Sequence, residues 1–197
     1  MLKRNVLLGM LFVMLVSCNQ SNTNEQKQVK EPDNSWKSQL DKKLPLLGHR
    51  NWIIIADKAF PEQNAAGIEV INTNENLLPV LKYVLQQVKI SGHVKPIIYQ
   101  DKELQFITES QAKGVELFRL ESAKLLGMEN KASQLQPQTI LHDAVFAKLD
   151  EASKLFKIVV LKTNETIPYT SVFLQLDCSY WNAEKEKQLR EKMKSQR

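Results

Sequence analysis

From Trp52 onward, short apolar runs alternate with longer stretches in which apolar residues recur every three or four positions. The short runs are Trp52 to Ala56, Gly67 to Ile71, Lys95 to Tyr99, Thr139 to His142, Phe156 to Leu161 and Val172 to Leu176. Their β-branched and apolar content predicts strands. Trp52-Ile-Ile-Ile-Ala56 and Ile158-Val-Val-Leu161 are continuous rather than alternating, so these two should be covered on both faces at the centre of a sheet. Asn76 to Ile90 places Leu77, Leu78, Leu81, Val84, Leu85 and Val88 on one stripe, a helix in which Pro79 comes early enough to be accommodated. Gln111 to Gly127 and Asp143 to Leu155 read the same way. In the first of these Val115, Leu117, Phe118, Leu125 and Leu126 mark the apolar side, and Gly127 is the expected stop. The alternation of strands and helices predicts a layered α/β/α domain on a mixed, largely parallel sheet.

Ahead of that pattern the chain changes character. Lys3 and Arg4 precede an apolar run from Val6 to Val16 that ends at Leu15-Val16-Ser17-Cys18. The run is shorter than the roughly 20 residues a membrane-spanning helix needs; with a cysteine directly after Leu-Val-Ser it has the form of a lipoprotein leader. Residues 1–17 are therefore expected to be removed and Cys18 lipidated, and more than one acyl chain would hold the protein on a membrane. The stretch that follows is polar until Val29 and cannot bury enough surface to fold. The predicted organisation is a leader over 1–17, a lipidated tether over 18–34, an α/β domain over 35–180 and a charged helical tail over 181–197. The expected address is the cell envelope, on its periplasmic or surface side.

The formal charge of +5 falls by two if Lys3 and Arg4 leave with the leader. Most of the remaining excess lies in the tail, where Lys185, Lys187, Arg190, Lys192, Lys194 and Arg197 outnumber Glu184, Glu186 and Glu191. The domain is close to neutral, which argues against a nucleic-acid partner. With Cys18 lipidated, Cys178 is the one cysteine left; it cannot form an intramolecular disulfide and is expected to be a small buried hydrophobe.

Familiar catalytic signatures are missing: no G-x-S-x-G elbow, no H-E-x-x-H, no paired C-x-x-C, and too few glycines for a phosphate-cradling loop. His49, His93 and His142 lack the spacing of a metal site, and no metal or cofactor is expected. In open α/β sheets ligands bind beyond the carboxyl ends of strands. Asp57 and His142 hold such positions, whereas His49 lies just ahead of the first strand. Taken singly, His49 could serve a turn after Gly48 and Asp57 an Asx-turn leaving a strand.

Leu47-Gly48-His49-Arg50-Asn51-Trp52-Ile53-Ile54-Ile55-Ala56-Asp57-Lys58-Ala59-Phe60-Pro61 is the most specific segment. It resembles the opening motif of the D-ribose pyranase and L-fucose mutarotase family: Gly-His, a polar pair, an apolar strand, then Asp followed four residues later by Pro. Phe156 to Leu161, followed by Pro168-Tyr169-Thr170-Ser171-Val172-Phe173-Leu174, resembles the family's last strands, where a Tyr-Gly-Asn or close variant lines a sugar pocket. The two segments bracket Leu46 to Leu176.

The resemblance implies an isomerase that opens and recloses the ring of a free monosaccharide, a pentose or deoxyhexose, without redox cofactor or metal. It implies His49 as proton donor, Asp57 as a carboxylate holding sugar hydroxyls, and Tyr169 and Ser171 as further pocket residues. It also implies a homo-oligomer whose pocket is completed by a neighbouring subunit. Histidine suits such chemistry because it can donate or accept near neutral pH. The chain departs from the family's pattern at Asn51, usually Asp, at Ser171, usually Asn, and at Val145, where the family has Arg or His; His142 is the nearest substitute for the last. A non-catalytic sugar-binding lipoprotein is the alternative these departures motivate. Metabolic labelling with a fatty acid tests the leader: the label should be incorporated by the full chain and lost in Cys18→Ser, and an unlabelled full chain would contradict the expectation.

Overall fold

The computed structural model describes residues 33–133 and 137–195; the expected leader, Cys18 and nearly all of the tether lie outside the described residues. The strands are β1 Trp52–Ala56, β2 Ile68–Asn72, β3 Val94–Asp101, β4 Gln138–Ile140, β5 Ile158–Lys162 and β6 Val172–Cys178. They form one sheet in the order β2-β5-β1-β6-β3-β4. The β1–β5, β2–β5 and β3–β4 pairs are parallel, and β6 runs antiparallel to both β1 and β3. The sheet is thus mixed and largely parallel, as expected, with β6 the one reversed strand.

β1 sits near the middle, and all five of its residues are buried. Ile53 and Ile55 enter one core, shared with Leu81, Val84, Phe118 and Leu174, while Trp52, Ile54 and Ala56 enter another, shared with Val145, Leu149 and Phe173. Successive side chains of a strand point to opposite faces, so a continuously apolar strand has to be sandwiched. The helices α1 Trp36–Lys43, α2 Leu77–Ser91 and α3 Val115–Ser133 supply the first cover and α4 His142–Ser153 the second. The domain is a three-layer α/β/α sandwich. Among the described residues no helix is long and apolar enough to cross a membrane.

Several details differ from the sequence expectation. Helix α3 continues past Gly127 to Ser133; a mid-helix glycine costs only about 1 kcal/mol, and nothing crowds that position. Leu117, assigned to the apolar side of α3, is 59% exposed, whereas Val115, Phe118 and Leu126 are buried. The strand expected to include His142 ends at Ile140, and His142 opens α4 instead. Cys178 is half-buried rather than enclosed. The tail forms α5 Ala183–Ser195, which has no buried residue.

Where α4 ends, the backbone comes close to the loop that enters β2. A side chain at Gly67 would run into the carbonyl oxygen of Ser153 and stand 2.9 Å from that of Phe156, both fixed backbone atoms. Gly67→Ala is expected to destabilise the domain by about 1–3 kcal/mol through overpacking, read as a lowered urea midpoint; an unchanged midpoint would show that this junction yields freely.

Candidate active site

The site lies at the carboxyl end of β1 and β3, where antiparallel β6 begins. Asp57 leaves β1 and Ser171 precedes β6, adjacent strands in the sheet. The Ser171 hydroxyl donates to Asp57 Oδ2 at 2.8 Å and accepts from the Asp57 backbone N–H at 3.0 Å. The other carboxylate oxygen, Oδ1, accepts from the Ala59 N–H at 2.9 Å. Asp57 does form an Asx-turn, but each of its oxygens has room for a further donor. Lys58 is exposed, and the described ion pairs do not include Asp57.

Two strands further along, Asp101 ends β3 and is 1% exposed. Its Oδ2 lies 2.9 Å from His142 Nδ1, and its Oδ1 has no hydrogen-bond partner among the described residues. Burial pushes the Asp101 carboxyl up to about 6; the contact with His142 opposes that rise, and the negative charges of Glu103 and Asp57 add to it. Glu103, in the 3-10 turn Lys102–Phe106, accepts the His142 backbone N–H through its carboxylate at 3.1 and 3.2 Å. An acidic group at the first N–H of a helix both satisfies that donor and suits the helix dipole.

The imidazole of His142 packs against two rings, Phe146 at 4.8 Å and Tyr169 at 5.3 Å between centroids, the second edge to face. Tyr169 has φ +61, a left-handed conformation that costs a non-glycine residue about 1–3 kcal/mol and is concentrated at functional sites. The turn that holds it is closed by the Thr170 hydroxyl donating to the Ile167 carbonyl at 2.7 Å. Phe60 stacks on Phe146 at 5.4 Å. Asp57, Phe60, His142, Phe146, Pro168 and Tyr169 line an open cleft of about 250 Å³. That is small beside the roughly 300–1,000 Å³ of drug-sized pockets. Other clefts of 210 to 290 Å³ exist; this one is distinguished by convergent polar groups on aromatic walls.

Of the residues singled out in the sequence, Asp57, His142, Tyr169 and Ser171 come together. His49 does not join them within one copy of the chain. It is exposed in the turn before β1, at the opposite end of a strand about 17 Å long. Asn51 closes that turn, its Oδ1 accepting from the Gly48 N–H at 2.7 Å and its Nδ2 donating to the Lys157 carbonyl at 3.2 Å. An aspartate could not make the second bond. Val145 is buried in the core under α4, while His142 faces the cleft. His93 is structural, its ring nitrogens facing the carbonyls of Leu47 and Ser91 at 2.9 and 3.2 Å. Asp101, Glu103, Phe60 and Phe146 were missed; the apolar run of β3 stops at Tyr99, two residues short of Asp101.

The architecture defines an α/β fold that solved proteins share. FucU from Bifidobacterium longum superimposes with a TM-score of 0.50 at 17% identity, covering 71% of this chain and 93% of that one. Bacillus subtilis RbsD complexed with D-ribose gives 0.48 at 20% identity, covering 75% and 97%. The fucose mutarotase of Streptococcus pneumoniae, in complex with L-fucose, gives 0.48 at 16% identity, covering 71% and 91%. No family model matches the chain, and no curated protein matches it.

Because Asp101 holds its proton more tightly in the folded than in the unfolded chain, its contribution to stability is complete below the ordinary carboxylate range near 4 and is lost as pH rises through about 6. Asp101→Asn should therefore gain stability relative to the unmodified protein as pH rises across that window. Urea unfolding at a series of pH values measures the difference; a gap that does not change with pH would contradict the assignment.

Proposed function

We propose that this protein is a monosaccharide isomerase of the mutarotase or pyranase kind, interconverting anomers or pyranose and furanose forms of a free sugar. The observation that carries the reading is the meeting of Asp57, His142 and Tyr169, remote in sequence, at one cleft of about 250 Å³, with Ser171 bonded to Asp57 behind it. Three of these positions belong to the segments whose sequence resembles the pyranase and mutarotase family. The chemistry needs little else. A base takes the proton of the anomeric hydroxyl while an acid protonates the ring oxygen, the bond from the anomeric carbon to the ring oxygen breaks, and a carbonyl forms. Reclosure on either face, or through a different hydroxyl, returns both protons.

Each group suits a part of this. The Asp57 carboxylate, held by Ser171 and the Ala59 N–H, is oriented to accept from sugar hydroxyls. Tyr169, Phe60 and Phe146 offer ring faces to the apolar C–H side of the sugar. The His142 imidazole can donate from one ring nitrogen and accept at the other. His49 enters the reading as a residue of a second copy, whose β1 turn completes the cleft in a homo-oligomer. The address belongs to the proposal too: a lipid anchor on Cys18 would hold the isomerase at a membrane, outside the cytoplasm.

Saturation-transfer NMR on D-ribose, L-fucose and a small sugar panel tests the reading. Exchange should be accelerated by the unmodified protein and fall on the order of 10²-fold in His49→Ala and in Asp57→Asn, and mixing the two variants should restore part of it by pairing intact half-sites. Full activity of His49→Ala would remove that residue from the site. Saturable binding without exchange would identify a sugar-binding lipoprotein instead.

A further inference from the structure

A buried carboxylate with one oxygen unpartnered is costly, and Asp101 is such a group among the described residues. Serine or asparagine could mark the end of β3 without that cost. What distinguishes Asp101 is its single strong contact, Oδ2 to His142 Nδ1 at 2.9 Å. We propose that Asp101 is the positioning residue for proton transfer by His142: its carboxylate keeps the imidazole hydrogen on Nδ1 and leaves Nε2 as the atom that takes the sugar proton and returns it. The inference rests on the isomerase reading of the cleft.

The geometry leaves the ring little choice. An ionised carboxylate can only accept, so a neutral His142 facing it must carry its hydrogen on Nδ1. Nε2 has no hydrogen-bond partner among the described residues, and the His142 side chain is 36% exposed, on the cleft that Asp57 and Tyr169 also line. Glu103 fixes the backbone from which the ring hangs, through the N–H of His142. Phe146 and Tyr169 fix the plane. Of the carboxylates near this end of the sheet, Asp101 meets the ring itself at Nδ1 and Glu103 meets the His142 backbone N–H. Burial lifts Asp101 to about 6, which leaves it mostly ionised at neutral pH and able to hold the imidazolium that forms when Nε2 takes a proton.

The steps balance without a co-reactant. Nε2 takes the anomeric hydroxyl proton as the bond from the anomeric carbon to the ring oxygen breaks and the carbonyl forms, His49 of a second copy protonates the ring oxygen, and the reverse transfers accompany closure. Asp101 itself exchanges no proton with the sugar. A histidine acting as acid or base contributes on the order of 10²–10⁴ in rate, and a wrong tautomer forfeits most of that.

The test combines two readouts on the full chain in detergent: the His142 tautomer, from long-range proton–nitrogen correlation of the ring-labelled protein, and kcat and KM for the sugar that exchanges fastest. The unmodified protein should carry the hydrogen on Nδ1. Asp101→Asn should lose that single tautomer and lower kcat at least 10²-fold with KM within about twofold, because sugar binding by Asp57 is untouched. A kcat within about threefold of the unmodified value overturns the proposal, and so does a hydrogen on Nε2 in the unmodified protein, a result that stands even if the variant does not fold. If the unmodified protein accelerates no sugar, the isomerase reading fails by itself, and the tautomers of the two proteins then decide whether Asp101 positions His142.

Discussion

The structure depends on covering β1 from every side. Its five residues are buried, its hydrogen bonds go to parallel β5 on one edge and antiparallel β6 on the other, and its two faces feed two separate cores. A strand so enclosed cannot slip by a residue without exchanging the faces of all its side chains. That rigidity sets the register Ile55 to Val172. It thereby places Asp57, two residues beyond Ile55, beside Ser171, one residue before Val172. The two-way hydrogen bonding between them follows from sheet register rather than from any local motif.

Reversal of β6 matters as much as its register. In a wholly parallel sheet the carboxyl edge would gather only residues that follow strands. With β6 antiparallel, the residues that precede it, Pro168, Tyr169 and Ser171, reach the same edge as Asp57 and Asp101. The strained turn at Tyr169 is the cost of bringing a large ring against His142. Asp57, Asp101 and Glu103 gather at this edge, and burial first, then the repulsion of Glu103 and Asp57, raises Asp101. Such a concentration of like charge on partly apolar walls serves stability poorly, and is the arrangement expected of a site that must attract and move protons.

Much of this was legible in the chain. The bounds of β1 follow from a run apolar at every position, and α2 from its stripe, because both signals are local. The start of α4 was legible to within one residue, Asp143 against His142; the Glu103 carboxylate that accepts the His142 N–H, 39 residues away, was not. Helix α1 was passed over among polar residues, although Trp36, Leu40, Leu44 and Leu47 are buried along it and the turn that follows. In the site, Asp57, Tyr169 and Ser171 were reached through ordered motifs. His142 was reached from its place at the carboxyl end of a strand run and as a substitute for Val145, whose place in the core the helical phase decides. Asp101 was passed over because its strand continues two residues beyond the apolar run, so its position at the strand end was hidden.

The central claim is that this cleft receives a monosaccharide. Titration of D-ribose and L-fucose into the nitrogen-labelled protein, followed by backbone amide shifts, tests it most directly. The account predicts saturable changes concentrated at Asp57, Ala59, His142, Tyr169 and Ser171. Amides at these positions that stay unmoved at saturating sugar, or changes confined to other clefts of the domain, would contradict it.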